Sequence, residues 1–209
     1  MKLKDHVAFL KSDKTHNYVY IISEIGVNHN GHLKTALELI QASKDAGVDA
    51  VKFQKRNLSE IYTKEILDDP NKAEWNIDYL IPILKEVELS KKDYNIIKDK
   101  CKELDIELII TPFDDDSANF CKELGVDAFK ISSSDMINYD LIKNCARYKK
   151  PVIISTGMWS EDEIIKSVSR YKEIGDFDFF MLQANSTYPT PYESINIRFL
   201  NRLKNIHSL

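Results

Sequence analysis

Two pentapeptides, AVKFQ at 50–54 and AFKIS at 128–132, decide the fold. In the first, Val51 and Phe53 alternate with Ala50, Lys52 and Gln54; in the second, Phe129 and Ile131 alternate with Ala128, Lys130 and Ser132. A period of two belongs to a β-strand, whose successive side chains point to opposite faces. Apolar residues on one face and a lysine on the other suit a strand of a closed barrel, with an interior that opens onto a polar mouth. An open doubly wound sheet shares this order of elements, and the lysines favour the barrel.

Four more short β-rich runs lie at 18–25, 107–112, 152–156 and 179–184. Charged segments with helical periodicity separate the runs. The segment 33–46 carries Leu33, Ala36, Leu37 and Ile40 on one stripe and stops at Gly47. Ser90 can cap 91–104, with Tyr94, Ile97 and Cys101 as the apolar face, and a third helix starts among Asp114, Asp115, Asp116 and Ser117 and ends at Gly125. At 160–174, Ser160 and Glu163 form a capping box and Gly175 closes the helix. Strand, helix, strand with short connections implies parallel pairing through right-handed crossovers. The longest interval between strand starts runs from 50 to 107, and its excess, 57–87, reads as a long loop with a helix inserted above the sheet. The expected organisation is an N-terminal extension over 1–17 and an α/β barrel over 18–209. Six βα units are readable, against eight in a complete (β/α)8 TIM barrel of about 250 residues, so the barrel reads as incomplete.

The chain has 209 residues, 29 Lys+Arg against 33 Asp+Glu, 43% hydrophobic and 30% charged residues, and a net charge of −4. That is enough apolar material for a core, and six Gly and six Pro exclude collagen-like or low-complexity chains. The slight acidity supports neither nucleic-acid nor membrane-surface binding. No apolar run approaches the ~20 residues of a membrane span, and no signal peptide is readable. Three scattered cysteines, Cys101, Cys121 and Cys145, indicate reduced thiols and a cytoplasmic location.

Each expected strand ends in polar residues: Ser23 and Glu24, Lys52 and Gln54, Thr111, Lys130 and Ser133, Ser155 and Thr156, Asn185 and Ser186. Polar residues at the C-terminal ends of barrel strands line active sites. Two lysines with several hydroxyls make an anion site, because a buried ammonium is costly without an opposite charge. A substrate phosphate or carboxylate supplies that charge, with Thr111, Ser133 and Ser155 donating hydrogen bonds. Structural ion pairs, Lys52 with Glu24 and Lys130 with Asp135, account for the same pattern. The turn of Asn28, His29, Asn30 and Gly31 either lines the mouth or only starts a helix. His29 has no spaced partner, so the chain offers no metal-ligand constellation. After the sixth strand, two prolines in YPTPY (188–192) stiffen a loop that either holds Tyr188 over the mouth or packs it as an ordinary turn residue.

Six stretches together resemble the sialic acid synthase (N-acetylneuraminate synthase) family. They are IISEIGVNHNG (21–31), AGVDAVKFQ (46–54), ELIITPFD (107–114), FKISSSD (129–135), KPVIISTGM (150–158) and STYPTPYE (186–193). The resemblance implies a (β/α)8 barrel that condenses phosphoenolpyruvate with N-acetylmannosamine or a related N-acetylated amino sugar. It also implies a divalent metal, Mn or Mg, and a homodimer of the full-length protein. By position, Lys52, Thr111, Lys130, Ser133 and Ser155 resemble the phosphoenolpyruvate ligands. Glu24 resembles the acid near the reacting enol, and Gln54 and Tyr188 resemble amino-sugar contacts. The sixth strand, which in the family ends in His-Cys-Thr, reads Gln183, Ala184, Asn185 here, with the family role falling on Ser186.

In the family, two metal-binding histidines and further sugar-binding acids come from seventh and eighth strands, and an antifreeze-like C-terminal domain follows. None of these is readable before Leu209. Two other functions are therefore weighed: a truncated, non-catalytic chain that binds phosphoenolpyruvate or a partner, and a Schiff-base pyruvate aldolase with Lys130 as nucleophile.

Overall fold

Every buried backbone N–H and C=O needs a partner, and parallel strands covered by helices meet that need with apolar runs of four to six residues. A computed structural model describes residues 2–12, 18–73 and 78–207. In chain order the elements are α1 (Leu3–Ser12), β1 (Ile22–Gly26), α2 (Leu33–Asp45), β2 (Ala50–Lys55), α3 (Leu58–Ile61), α4 (Lys64–Asp68), α5 (Leu80–Val87), α6 (Lys91–Glu103) and β3 (Glu107–Pro112). There follow α7 (Asp115–Leu124), β4 (Ala128–Ile131), α8 (Tyr139–Ala146), β5 (Val152–Ser155), α9 (Glu161–Ile174), β6 (Phe179–Leu182) and α10 (Phe199–Ile206). The chain divides into two compact units, Tyr20–Val126 and Met1–Val19 with Asp127–Leu209.

In the unit Tyr20–Val126, β1 pairs with β2 and β2 with β3, all parallel. The register sets Glu24 opposite Lys52, Lys52 opposite Ile109 and Gln54 opposite Thr111, so these polar side chains share a face. An irregularity between Glu24 and Gly26 shifts β1 against β2, and Gly26 takes φ 56° there, a left-handed value that glycine adopts without steric cost. The other face meets α2, α6 and α7. Ile40 of α2, Ile97 of α6, and Val51, Phe53 and Ile110 of the strands are fully buried. Tyr94 of α6 packs edge-on between Phe53 and Phe120, and its hydroxyl donates to the Gln54 carbonyl. The end of β2 is thereby fastened to a helix.

In the other unit, β4, β5 and β6 are again parallel neighbours, with Lys130 opposite Ile153 and Ser155 opposite Leu182. Ile142 of α8, Ile164 and Tyr171 of α9, and Ile131 and Ile154 of the strands form its core. The Tyr171 hydroxyl donates to the Met136 carbonyl at 2.5 Å, and burial raises its pKa well above that of an exposed phenol. His207, beyond α10, stacks on Phe179 at 3.8 Å between centroids.

Most expected boundaries differ from the observed ones by one to four residues, and three differences have clear causes. The first strand begins at Ile22, because Val19 and Ile21 are exposed and only the last part of the run finds a neighbour. The described part of the segment 57–87 holds three short α-helices and a 3-10 turn over Pro70–Lys72 where one helix was expected: Asn57 accepts from the Ser59 amide at the start of α3, and Thr63 from the Ile66 amide at the start of α4. Positions 74–77 within it lie outside the described residues. In the expected extension over 1–17, α1 buries Leu3, His6 and Val7, and Lys11 pairs with Asp178 just before β6. Met1 and positions 13–17 lie outside the described residues.

Candidate functional site

The strand ends form two groups of polar residues, one in each unit. In the unit Tyr20–Val126, Lys52 is 4% exposed, yet its ammonium must remain solvated by something polar. Its Nζ lies 2.8 Å from Glu24 Oε2 and donates to Thr111 Oγ1 at 3.3 Å. Three consecutive parallel strands thus each place one polar group on the same spot. The Glu24 side chain is 64% exposed, so the pair has one buried cation and one solvated anion. Gln54 follows two residues on, with its side-chain Nε2 against Gly26, where an added Cβ would meet it at 3.5 Å.

The turn before α2 supports this group from behind. His29 is 1% exposed, stacks on Phe53 with centroids 5.8 Å apart, and accepts the Gly31 N–H on Nδ1 at 3.2 Å. It does not line a mouth, and burial lowers its pKa. Lys55 pairs with Glu88, directly after α5, and so ties the 57–87 segment to the end of β2. Burial raises the Glu88 pKa, and the Lys55 ammonium opposes that shift.

In the other unit, Lys130 is 7% exposed and its Nζ donates to the Ile131 carbonyl at 2.7 Å. Ser155, also 7% exposed, faces the same side of β5 as Lys130 does of β4. The Asp135 carboxylate accepts from Ser132 Oγ at 2.7 Å and more loosely from Ser134 and Asn138. Ser133 and Ser186 meet at Gly157: a Cβ on that glycine would lie 2.8 Å from Ser133 Oγ and 2.7 Å from Ser186 Oγ. The Trp159 indole N–H donates to the Ser133 carbonyl at 2.6 Å and fixes that serine's backbone. A cleft of about 570 Å³ opens beside Gly157, lined by Thr156, Trp159, Gln183, Asn185 and Arg198 among others. Tyr188 is 91% exposed, so its loop does not pack it as an ordinary turn residue.

The structure therefore brings Glu24, Lys52 and Thr111 into direct contact, with Gln54 adjacent, and brings Ser133 and Ser186 together. Gly157 was not among the expected site residues, although the quoted stretch KPVIISTGM contains it. A glycine following strand-end hydroxyls was its only signal. Among the described residues, no group of three or more His, Cys, Asp and Glu side chains could hold a metal ion. The residues present thus do not fit the divalent metal implied by the resemblance, and no chemical step is assigned to one. Cys101, Cys121 and Cys145 are buried and form no disulfide. No helix among the described residues is long and apolar enough to cross a membrane.

Parallel strands followed by helices, with lysines and hydroxyls at the strand C-terminal ends, define an α/β protein of TIM-barrel type with a polar strand-end site. The sequence pattern of the NeuB family matches residues 39–209, and the chain belongs to that family. It is 35% identical to the N,N'-diacetyllegionaminic acid synthase of Legionella pneumophila over 193 residues, covering 88% of this chain and 53% of that protein. It is 34% identical to the N-acetylneuraminate-9-phosphate synthase of Drosophila melanogaster over 196 residues, covering 92% of this chain and 52% of that protein. Among solved structures, the N-acetylneuraminic acid synthetase of Leptospira borgpetersenii superposes with a TM-score of 0.79 at 32% identity, over 90% of this chain and 62% of that one. The chain spans about half the length of these curated relatives.

Proposed function

We propose that the protein acts in nonulosonic acid synthesis, condensing phosphoenolpyruvate with an N-acetylated amino sugar and releasing phosphate. The observation that carries this reading is Lys52, a strand-end ammonium 4% exposed, held between an exposed carboxylate and a hydroxyl. Phosphoenolpyruvate is close to trianionic, and gathering its phosphate and carboxylate demands fixed cations and hydroxyl donors. In this reading Lys52, Thr111, Lys130, Ser133, Ser155 and Ser186 bind the enol phosphate, and Gln54 and Tyr188 contact the sugar. The enol carbon C3 forms a bond to the sugar aldehyde carbon, whose C=O π pair moves onto oxygen to become a protonated hydroxyl, and positive charge develops at C2. Water adds at C2 with one proton passing to Glu24, and the C2–O bond to phosphate then breaks while the C2 hydroxyl proton leaves with the phosphate, giving the 2-keto acid. Because Glu24 already touches Lys52, substrate binding displaces that contact and frees the carboxylate for the water. We further propose a cytoplasmic protein that works as a homodimer.

Calorimetric titration with phosphoenolpyruvate tests the reading. The protein is expected to bind it, and Lys52→Met is expected to weaken binding by about 10²-fold, as for loss of a charged hydrogen-bonding partner of about 3 kcal/mol. Unchanged affinity in Lys52→Met would remove this lysine from the site. A Schiff-base aldolase predicts a borohydride-trapped pyruvate adduct on Lys130, whereas the synthase reading predicts none.

A further inference from the structure

Resting on that reading, we infer that Gly157 is a positioning residue: its missing Cβ is the space in which the Ser133 and Ser186 hydroxyls converge on one anionic group. Gly157 directly follows the Ser155–Thr156 end of β5 and is buried, while Ser133 comes from the turn after β4 and Ser186 from the loop after β6. Three chain segments therefore meet at one Cα. A Cβ there would lie 2.7 Å from Ser186 Oγ, 2.8 Å from Ser133 Oγ and 3.4 Å from the Ala184 carbonyl oxygen. The first two distances are shorter than any methyl group tolerates, so both hydroxyls would have to turn away together.

The constraint is spatial and not conformational. Gly157 is absent from the positive-φ residues, which include Gly26, Gly31, Gly47, Gly125 and Gly175, so its backbone accepts an alanine. The backbone around the glycine is held on both sides. Ser133 is anchored through its own carbonyl by the Trp159 indole, and Thr156 fixes the other approach by donating both its amide and its hydroxyl to the Leu182 carbonyl, at 3.1 and 2.9 Å. What gives way on adding a methyl is the pair of hydroxyl rotamers. Two hydroxyls aimed at one anion oxygen set or phosphate group make charge-assisted bonds, so turning both away removes affinity without removing any residue that touches the ligand.

A double-mutant cycle separates this role from a structural one. Gly157→Ala is expected to weaken phosphoenolpyruvate binding at least tenfold in the parent protein. In a Ser133→Ala/Ser186→Ala background, where the space is already vacated and the hydroxyls are gone, the same substitution is expected to change affinity less than twofold. Equal loss in both backgrounds, or no loss in the parent, overturns the inference. A crystal structure of Gly157→Ala reads the geometry without any ligand: both Oγ atoms should have left their parent positions, and unmoved hydroxyls overturn the inference. If the parent protein does not bind phosphoenolpyruvate, the proposed function falls, while the crystal comparison still decides the role of Gly157.

Discussion

Lys52 and Glu24 differ in what surrounds them, and that difference sets their chemistry. The lysine is almost sealed, so its charge depends on neighbours, while the carboxylate is half in water and can leave at small cost. Glu24→Gln is therefore expected to leave phosphoenolpyruvate affinity unchanged or up to about tenfold tighter, since a competitor for the ammonium is gone. Turnover is expected to fall by about 10²- to 10⁴-fold, the range of a lost general base. Steady-state kinetics with a separately measured dissociation constant checks this split, and wild-type turnover in the variant would take Glu24 out of the chemistry. Both residues were legible as candidates from period-two alternation and strand-end position. Their ion pair was legible as well, as one of two readings of the pattern, and the register sets the two residues directly opposite each other. Gly157 was missed because its significance lies in two hydroxyls brought from distant positions of the chain.

At the scale of elements, local signals were read well where one residue determines one feature. The Ser160–Glu163 capping box, the Asp114 N-cap of α7 and the left-handed Gly125 after it all occupy the places their chemistry predicts. The Ser90 cap proved to be a full box with Asp93. Signals that depend on a neighbour were read poorly, as with α1, whose helix is legible only from the surface it covers, and with the short helices of 57–87. Two glycines show the difference quantitatively. Gly31 and Gly47 both have positive φ, 73° and 78°, but an added Cβ meets the Glu86 carbonyl oxygen at 2.5 Å at Gly31 and nothing within 4 Å at Gly47. Gly47→Ala is expected to cost about 1 kcal/mol of backbone strain. Gly31→Ala should cost at least about 3 kcal/mol, because α5 must also move off the His29 turn. Urea unfolding of the two variants compares them directly, and equal midpoints would show that the α5 contact contributes nothing.

For the whole molecule, part of the acid response follows from two histidines, buried His29 and half-buried His207. Burial lowers the pKa of both His29 and His207 below the ordinary 6.5. The unfolded chain therefore binds protons that the folded chain refuses, so their contribution to stability is intact above the unfolded value and is lost as pH falls through it toward the folded value. The urea midpoint is expected to drop between about pH 7.5 and about pH 5.5, with a shallower drop in His207→Phe, which keeps the stack on Phe179. An identical pH dependence in that variant would exclude His207 as a contributor. The parallel α/β class and the strand-end character of the lysines were legible from the sequence, because buried parallel strands and their polar ends have a composition that no other element shares.

Phosphate release is the most direct measurement of the central claim. The protein is incubated with phosphoenolpyruvate, with and without N-acetylmannosamine or a di-N-acetylated analogue, in the presence and absence of Mn²⁺. The account predicts phosphate release that requires the amino sugar and yields a 2-keto acid one-for-one with the phosphate. Release that ignores the sugar, or no release with any amino sugar tested, would contradict it.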